Sequence, residues 1–336
     1  MARGSTPVAS SLYALRQMLG LTPANGDAAL TVHPIFVCID CEAFEHAHHK
    51  ITEIGVAVLD TRELDQRSAE AKQWIEKIKY GHFKPIEYGL LKNKNFVKGC
   101  PEAFNFGTST WIKLADARRV LQNIFDDPTR LHEAADFDKP LSKTGRDVIF
   151  VGHNASSDTS FLKQVGFNVA VDGGTKATMD TQKLAGGTKK KSIALQRLLL
   201  SLDVDAYNLH NAGNDAAYTL QAMLLMALKD QSTPGSVAAD LLKYSGKLSP
   251  AKHSPIVAPH VFAGTAMGCT IESAAENGSI ATDMRTNIQR RAERQERKIV
   301  VRTVRNASEV PATTAMALQR PVTSHSSHIF FNDPGP

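Results

Sequence analysis

Residues 35–42 read Ile-Phe-Val-Cys-Ile-Asp-Cys-Glu, an apolar run that ends in two acids. Pro34 precedes this run, and residues 51–59 (ITEIGVAVL) form a second apolar run rich in β-branched side chains. Both runs are typical of buried β-strands, because β-branched and aromatic residues fit a pleated, half-buried surface. Side chains two positions apart on a strand point to the same face. We therefore expect the carboxylates of Asp40 and Glu42 to lie together at the end of the first strand.

Beyond these two strands, the apolar pattern alternates between strand-like and helix-like segments. Residues 73–83 predict a third, partly exposed strand, residues 147–151 a fourth and residues 179–184 a short fifth. Apolar positions at helical spacing predict helices over residues 114–125, 156–165, 193–202 and 212–228. Three strands followed by alternating helices and strands predict an α/β fold with a mixed sheet.

Composition divides the chain into three parts. Residues 1–32 are rich in Ala, Ser, Thr, Gly and Pro, and they predict a largely disordered leader with a short amphipathic helix at residues 11–19. Residues 33–230 contain the strong strand and helix patterns and predict one folded domain. Residues 231–336 predict a linker, one helix at residues 237–243, a basic segment and a tail rich in Ser, Thr and Pro.

The bulk composition predicts a globular protein with no membrane partner. The 336 residues are 42% hydrophobic, enough for a sizeable core, yet the longest apolar stretch spans only residues 222–228. A membrane span needs roughly 18 apolar residues. Four scattered cysteines favour a reducing compartment, so we expect a cytoplasmic or nuclear protein. Residues 1–26 lack acids and contain arginines and serines, so a mitochondrial presequence is the alternative.

The net charge of +5 is concentrated near the C-terminus. Residues 283–306 contain eight basic and three acidic side chains, so the remainder of the chain is neutral overall. A basic segment on a neutral body suits a nucleic-acid partner, because each neutralised phosphate releases condensed counterions. A solvated segment without a specific partner explains the charge equally well. The C-terminal tail is also a candidate site for protein partners.

Two further acidic motifs follow at predicted strand ends and helix starts. In residues 151–158 (VGHNASSD) a strand ends in a Gly turn, and Asp158 lies in the first turns of the next helix. Residues 210–216 (HNAGNDA) place Asp215 at the start of the last strong helix, with His210 five positions earlier in the loop. Taken singly, each acid is also explained without a site, since helix N-termini favour negative charge.

Together, the acids match the requirements of phosphoryl hydrolysis. Two divalent cations about 3.5 to 4 Å apart can activate an attacking water and stabilise the leaving oxygen. Carboxylate oxygens favour Mg²⁺ or Mn²⁺ over zinc. We therefore predict that two such cations are held by Asp40, Glu42, Asp158 and Asp215. His210 is the predicted general base, because an imidazole has an ordinary pKa of about 6.5 and can accept a proton from the attacking water.

The order and spacing of these motifs resemble the DEDDh family of 3′→5′ exonucleases, in the RNase H-like superfamily, over about residues 35–228. The resemblance implies a five-stranded mixed sheet flanked by helices, and hydrolysis of nucleic acid from the 3′ end to nucleoside 5′-monophosphates. It implies metal binding by the same four acids and general base catalysis by His210. Asn154, four positions before Asp158, matches a position that often contacts the terminal nucleotide.

The chain departs from the family pattern at two places. Many members follow the first Glu with a Thr-Thr-Gly or Thr-Gly loop that holds the 3′ end, whereas residues 43–49 read AFEHAHH. The family aromatic before the second Asp is Ser157 here. Recognition of the terminal nucleotide is therefore expected to differ. An insertion with Phe96, residues 99–106 and Trp111 resembles a fungal branch connected with mRNA export and small-RNA processing, which implies an RNA substrate.

Basic side chains near the motifs predict the surface that holds the substrate. Lys189, Lys190 and Lys191 follow two glycines, and lysines on such a loop can follow a phosphate chain. A solvated loop is the alternative. His46 and the two histidines that follow it are expected to contact phosphates or bases rather than a metal.

The function predicted from the sequence is a metal-dependent 3′→5′ exonuclease with RNA as the favoured substrate. A non-catalytic RNA-binding adaptor with an inherited nuclease fold, and a DNA proofreading or repair exonuclease, remain alternatives. The intact acidic set argues against the adaptor, because clustered buried charges of one sign need a cation. The choice between RNA and DNA depends on contacts to the 2′-hydroxyl.

Overall fold

A computed structural model describes residues 8–9, 11–23, 33–139, 141–188 and 190–243. Its centre is a long hairpin of two strands, β2 (Ile35–Phe44) and β3 (Ala47–Asp60). The two strands are antiparallel, and their register pairs Asp40 with Gly55 and Glu42 with Glu53. The two apolar runs of the sequence are therefore the central strands of the fold.

Five further strands complete the sheet within the described residues: β1 (Val8–Ala9), β4 (Lys79–Pro85), β5 (Thr110–Ile112), β6 (Val148–Gly152) and β7 (Ala177–Asp180). Their order across the sheet is β1-β7-β6-β2-β3-β4-β5. The β2–β3 and β3–β4 pairs are antiparallel and the other pairs are parallel. The predicted α/β class and mixed sheet are thus confirmed. The expected five strands form its middle, and the short strands β1 and β5 extend the two edges.

The helices cover both faces of this sheet. They are α1 (Leu12–Met18), α2 (Ala71–Ile75), α3 (Ala117–Asp126), α4 (Ala155–Gln164), α5 (Thr181–Leu184), α6 (Leu195–Ser201), α7 (Ala212–Ser232) and α8 (Ser236–Lys243). Short 3₁₀ segments lie at Thr61–Glu63, Leu114–Asp116 and Pro128–Glu133. Helix α7 has 21 residues, most of them buried, and packs on β2 and β3. Among the described residues, no helix combines the length and apolarity of a membrane span.

Alternation along β2 divides the core into two halves. Phe36 and Cys38 join the apolar cluster that includes α1, α6 and α7. Val37 and Ile39 join the cluster that includes α3 and α4. Because side chains alternate along a strand, the acid Asp40 lies on the same face as Cys38, the face that α7 covers.

The third predicted strand, at residues 73–83, is wrong in its first half. Residues 73–75 lie in helix α2, and strand β4 begins only at Lys79. The reason is that Trp74 and Ile75, in the last turn of this helix, both pack into the cluster under α7. The fifth predicted strand is shorter than expected, because the side chain of Asp180 accepts a hydrogen bond from the backbone N–H of Gln182 and starts α5.

Part of the expected N-terminal leader packs into the domain. The helix predicted at residues 11–19 is α1, and its Leu15 and the following Leu19 are fully buried. Arg16 forms an ion pair of 2.8 Å with Asp230 of α7. These contacts join α1 to the longest helix of the core. The basic segment at residues 283–306 lies outside the described residues.

Candidate metal centre

The first two acidic motifs meet where β2 ends and α4 begins. The backbone N–H of Cys41, between Asp40 and Glu42, donates a hydrogen bond of 3.2 Å to Oδ1 of Asp158. Burial, followed by the charges of Asp158 and Asp215, raises the pKa of Asp40 well above its usual range. The hydrogen bond from Cys41 holds Asp158 beside the end of β2, so the fold brings the acids of the first two motifs together.

The third motif approaches from the start of α7. Asn211 caps this helix, and its side chain accepts a hydrogen bond of 3.1 Å from the N–H of Asn214. His210 has a φ of +66°, a left-handed conformation that costs roughly 1 to 2 kcal/mol for a residue other than glycine. In this conformation its N–H donates to Oδ2 of Asp215 at 3.1 Å. One ligand atom each of Glu42, His210 and Asp215 lies within 4.8 Å of the others.

The electrostatics of the cluster fit divalent cations. Oδ1 of Asp215 is buried and has no hydrogen-bond partner within the described residues. Burial, reinforced by neighbouring carboxylates, raises the pKa of Glu42 to about 8. Burial raises the pKa of Asp158 and that of Asp215 to about 7. Such a set of oxygen ligands is stable as charged groups only beside a cation, and hard oxygen donors suit Mg²⁺ or Mn²⁺.

A buried acid that the motifs do not include lies beside this cluster. Glu53 of β3 is 3% exposed and is paired in register with Glu42. Its Oε2 accepts a hydrogen bond of 3.3 Å from the N–H of Ala212 and lies 3.0 Å from Nε2 of His82. Nδ1 of His82 is in turn 2.8 Å from Oγ of Ser109. In the sequence, Glu53 could have been recognised because it is an acid inside the second apolar run.

Helix α7 also approaches β3 closely at Gly55. A Cβ atom on Gly55 would lie 1.8 Å from the carbonyl oxygen of Ala212, far inside contact distance. Only glycine therefore permits this packing. Together with Glu53, it sets the position of the first turn of α7, and hence of Asp215, relative to the sheet.

The residues predicted to contact the substrate fall into two groups. Asn154 precedes Asp158 at the start of α4, whereas the lysines belong to a separate segment before α6. Asn154 is exposed at the N-cap of α4, and its Nδ2 donates to Oγ of Ser157 at 2.8 Å. Lys190 and Lys191 are exposed on the loop before α6. No contact within the described part of the chain joins these two lysines to the acids, and Lys189 lies outside the described residues.

His46, by contrast, is at the turn between β2 and β3. Its Nε2 lies 3.0 Å from Nδ2 of Asn95, and its ring centroid lies 5.3 Å from that of Phe44 and 6.4 Å from that of Phe96. The segment at residues 43–49 is therefore a tight hairpin packed against the insertion, and not a free loop.

Comparison with known proteins agrees with this geometry. The family described as "DNA polymerase III subunit epsilon-like, C-terminal domain" (DEDDh_C) has a sequence model that matches residues 35–226. The match begins at β2 and ends inside α7, so it includes the three acidic motifs.

Three fungal proteins are similar to this chain. An uncharacterized protein of Saccharomyces cerevisiae is 29% identical over 229 residues, which cover 63% of this chain and 44% of that protein. An uncharacterized nucleolar protein of Schizosaccharomyces pombe is 26% identical over 224 residues, 62% of this chain and 78% of that protein. The Saccharomyces cerevisiae protein named "Good for full DBP5 activity protein 2" is 28% identical over 211 residues, 56% of this chain and 35% of its own length. The similarity thus spans less than half of either Saccharomyces protein.

Proposed function

This chain belongs to the DEDDh family, and from that membership we propose that it is a metal-dependent 3′→5′ exonuclease acting on single-stranded nucleic acid, with RNA as the favoured substrate. The observation that carries the proposal is the convergence of Glu42, His210 and Asp215 on one small volume. Asp215 brings into it a buried oxygen that has no hydrogen-bond partner in the described part of the chain. An adaptor that only binds RNA has no need for such a cluster.

In the proposed site, Asp40, Glu42, Asp158 and Asp215 would hold two divalent cations, Mg²⁺ or Mn²⁺. When bound, such cations stabilise the charge that builds on the phosphoryl group and on the leaving oxygen. Burial lowers the pKa of His210, so its imidazole is neutral near pH 7 and can accept the proton of the attacking water. The hydrogen bond from the backbone N–H of His210 to Oδ2 of Asp215 holds the loop that carries this imidazole.

The substrate contacts and the location of the protein are part of the same proposal. Asn154 is exposed within one helical turn of Asp158, which suits contact with the terminal nucleotide. Weaker contacts with the nucleic-acid substrate are assigned to His46, Lys189, Lys190 and Lys191. A nuclear location is favoured over a cytoplasmic or mitochondrial one, because one relative is named a nucleolar protein.

The test is a degradation assay with the full chain. Single-stranded RNA and DNA of one sequence, labelled at the 5′ end, are incubated with Mg²⁺, with Mn²⁺ or with EDTA. We expect products that shorten from the 3′ end, release of nucleoside 5′-monophosphates, and no reaction in EDTA. D158N should be inactive, whereas E63Q, a change at an exposed ion pair with Lys79, should match the wild type. If the chain binds the nucleic-acid strands but degrades them neither with Mg²⁺ nor with Mn²⁺, the result would support the adaptor instead.

A further inference from the structure

Phe96 stands out among the apolar side chains of the surface. It is 78% exposed, more than any other large apolar side chain in the described residues, and Val97 beside it is also exposed. Isolated exposed apolar side chains are normal and need no explanation. Phe96 differs from such cases because the backbone that carries it is held in place by the carboxylate of Glu45.

The segment at residues 93–99, here called the Phe96 loop, is closed by a hydrogen bond of 3.1 Å from the N–H of Gly99 to the carbonyl of Asn93. The carboxylate of Glu45 accepts hydrogen bonds from three successive N–H groups, those of residues 94–96, at 3.0 to 3.1 Å. The side chain of Glu45 is only 7% exposed. These backbone hydrogen bonds lower the pKa of Glu45, so the carboxylate is ionised and the loop is preorganised.

Both ends of the Phe96 loop are joined to segments that carry the candidate metal centre. At one end, Nδ2 of Asn93 donates a hydrogen bond of 2.9 Å to the carbonyl of Ala43, the residue after Glu42. At the other end, the N–H of Cys100 donates to the carbonyl of His210 at 3.3 Å. The loop therefore lies beside the site, between its first and third motifs.

The chemistry of the loop suits a polyanion with flat, apolar groups. Lys94 and Lys98 are exposed on either side of Phe96, and neither forms a salt bridge within the part of the chain that the structure describes. The ring of His46 adjoins that of Phe96 on the hairpin. Proteins that bind single strands combine cationic side chains that contact phosphates with aromatic rings on which bases stack. A protein-binding surface would need a larger apolar patch than these few side chains.

We propose that the Phe96 loop binds single-stranded nucleic acid, with Phe96 stacked on a base near the 3′ end and with Lys94 and Lys98 beside phosphates. This inference rests on the proposed function, since a strand whose 3′ end enters the acidic site must pass over the surfaces around it. The acids repel phosphates, and the lysines of the loop offset that repulsion. The rigid backbone lowers the entropy that the loop loses on binding.

The first test measures binding without hydrolysis. The affinity of the full chain for a short fluorescent single strand is measured in EDTA by anisotropy. We expect F96A to weaken binding about 5- to 150-fold, the loss typical when an aromatic side chain that stacks on a base becomes alanine. F96W should retain binding. V171A, which removes a side chain that is 75% exposed elsewhere, is the matched control. Equal affinities of F96A and V171A would overturn the proposal.

The second test separates the lysines from the ring. The double variant K94A/K98A should reduce the slope of log affinity against log salt concentration by roughly 0.7 for each lysine, the value for single strands. F96A should leave that slope unchanged, because stacking releases no counterions. A wild-type slope in the double variant would show that the lysines do not contact phosphates and would overturn that part of the proposal.

These results are distinguishable from a failure of the proposed function. If F96A loses binding while the wild type degrades no strand with any cation, the Phe96 loop is a binding site and the exonuclease proposal is wrong. If the wild type degrades strands and F96A binds and degrades them equally well, the exonuclease proposal stands and the loop proposal is wrong. A wild-type chain that neither binds nor degrades strands overturns both.

Discussion

The backbone N–H of Ala212 donates a hydrogen bond of 3.3 Å to Oε2 of Glu53, across 159 residues of sequence. Ala212 is the first residue of α7 and Glu53 lies in β3, so this bond joins the helix that carries Asp215 to the centre of the sheet. His82 of β4 holds the same carboxylate oxygen from another direction. The position of Asp215 therefore depends on a pair of residues that lie outside the acidic motifs.

We predict that E53A is less stable than E53Q by roughly 1 to 3 kcal/mol of unfolding free energy, because alanine leaves the N–H of Ala212 and the imidazole of His82 without a buried partner. Both variants remove the carboxylate of Glu53, so their difference reports the loss of the remaining polar side chain and its packing. Urea denaturation in EDTA provides the measurement. Replacement of Glu63, which forms an exposed ion pair with Lys79, should change stability by less than about 1 kcal/mol. Equal stability of E53A and E53Q would contradict the proposed anchoring.

We predict that G55A lowers the unfolding free energy by roughly 1 to 3 kcal/mol, because its new methyl group overlaps the carbonyl of Ala212 and must displace backbone. The control is G99A, where the nearest atom would lie 3.7 Å from the new Cβ, an ordinary contact distance. We expect G99A to stay within about 0.5 kcal/mol of the wild type. If the two variants unfold at the same denaturant concentration, the close packing of α7 on β3 is wrong.

We predict that H210A lowers kcat by roughly 10² to 10⁴-fold, the contribution typical of a general base. Titration calorimetry with Mn²⁺ should show cation binding close to that of the wild type, whereas D215N should bind more weakly. Because burial lowers the pKa of His210, the wild-type rate at saturating Mg²⁺, which keeps the carboxylates ionised, should rise with pH and level off below the usual pKa of histidine, about 6.5. A loss of cation binding in H210A as large as in D215N would make His210 a ligand and not a base.

We predict that the cation-free protein becomes less stable as the pH rises. The folded-state pKa of Glu42 is about 8 and those of Asp158 and Asp215 are about 7, whereas unfolded carboxyl groups titrate near about 4. Between the unfolded and the folded pKa values, the folded protein binds more protons than the unfolded chain does. The stabilisation that results is complete at low pH and is lost as the pH rises through 7 to 8. Excess Mg²⁺ should therefore raise Tm more at high pH than at low pH.

The measurement is thermal unfolding over that pH range, in EDTA and in Mg²⁺. D158N should weaken both the pH dependence in EDTA and the stabilisation by the cation, because it removes one titrating ligand. A cation effect on Tm that does not grow with pH would argue against binding by these carboxylates.

Local patterns in the sequence were sufficient to predict the central strands, the fold class and the candidate acids of the three motifs. Each of these follows from a local pattern: two apolar runs specify β2 and β3, and strand alternation places Asp40 and Glu42 on one face. The caps and turns before Asp158 and Asp215 are likewise local, so their helix starts are visible in the residues alone. Short-range periodicity is sufficient because the side chains involved are neighbours in the chain.

Which other residues surround the acids depends on contacts between segments that are distant in the sequence. Glu45 holds the N–H groups of residues 94–96, about fifty positions away, and Glu53 holds that of Ala212, so neither relation has a local signal. The strand–helix error at residues 73–83 has the same origin, because Trp74 is helical where it packs under α7. Hydrogen bonds and packing between distant segments depend on how the sheet brings these segments together. The periodicity of the sequence does not predict such contacts.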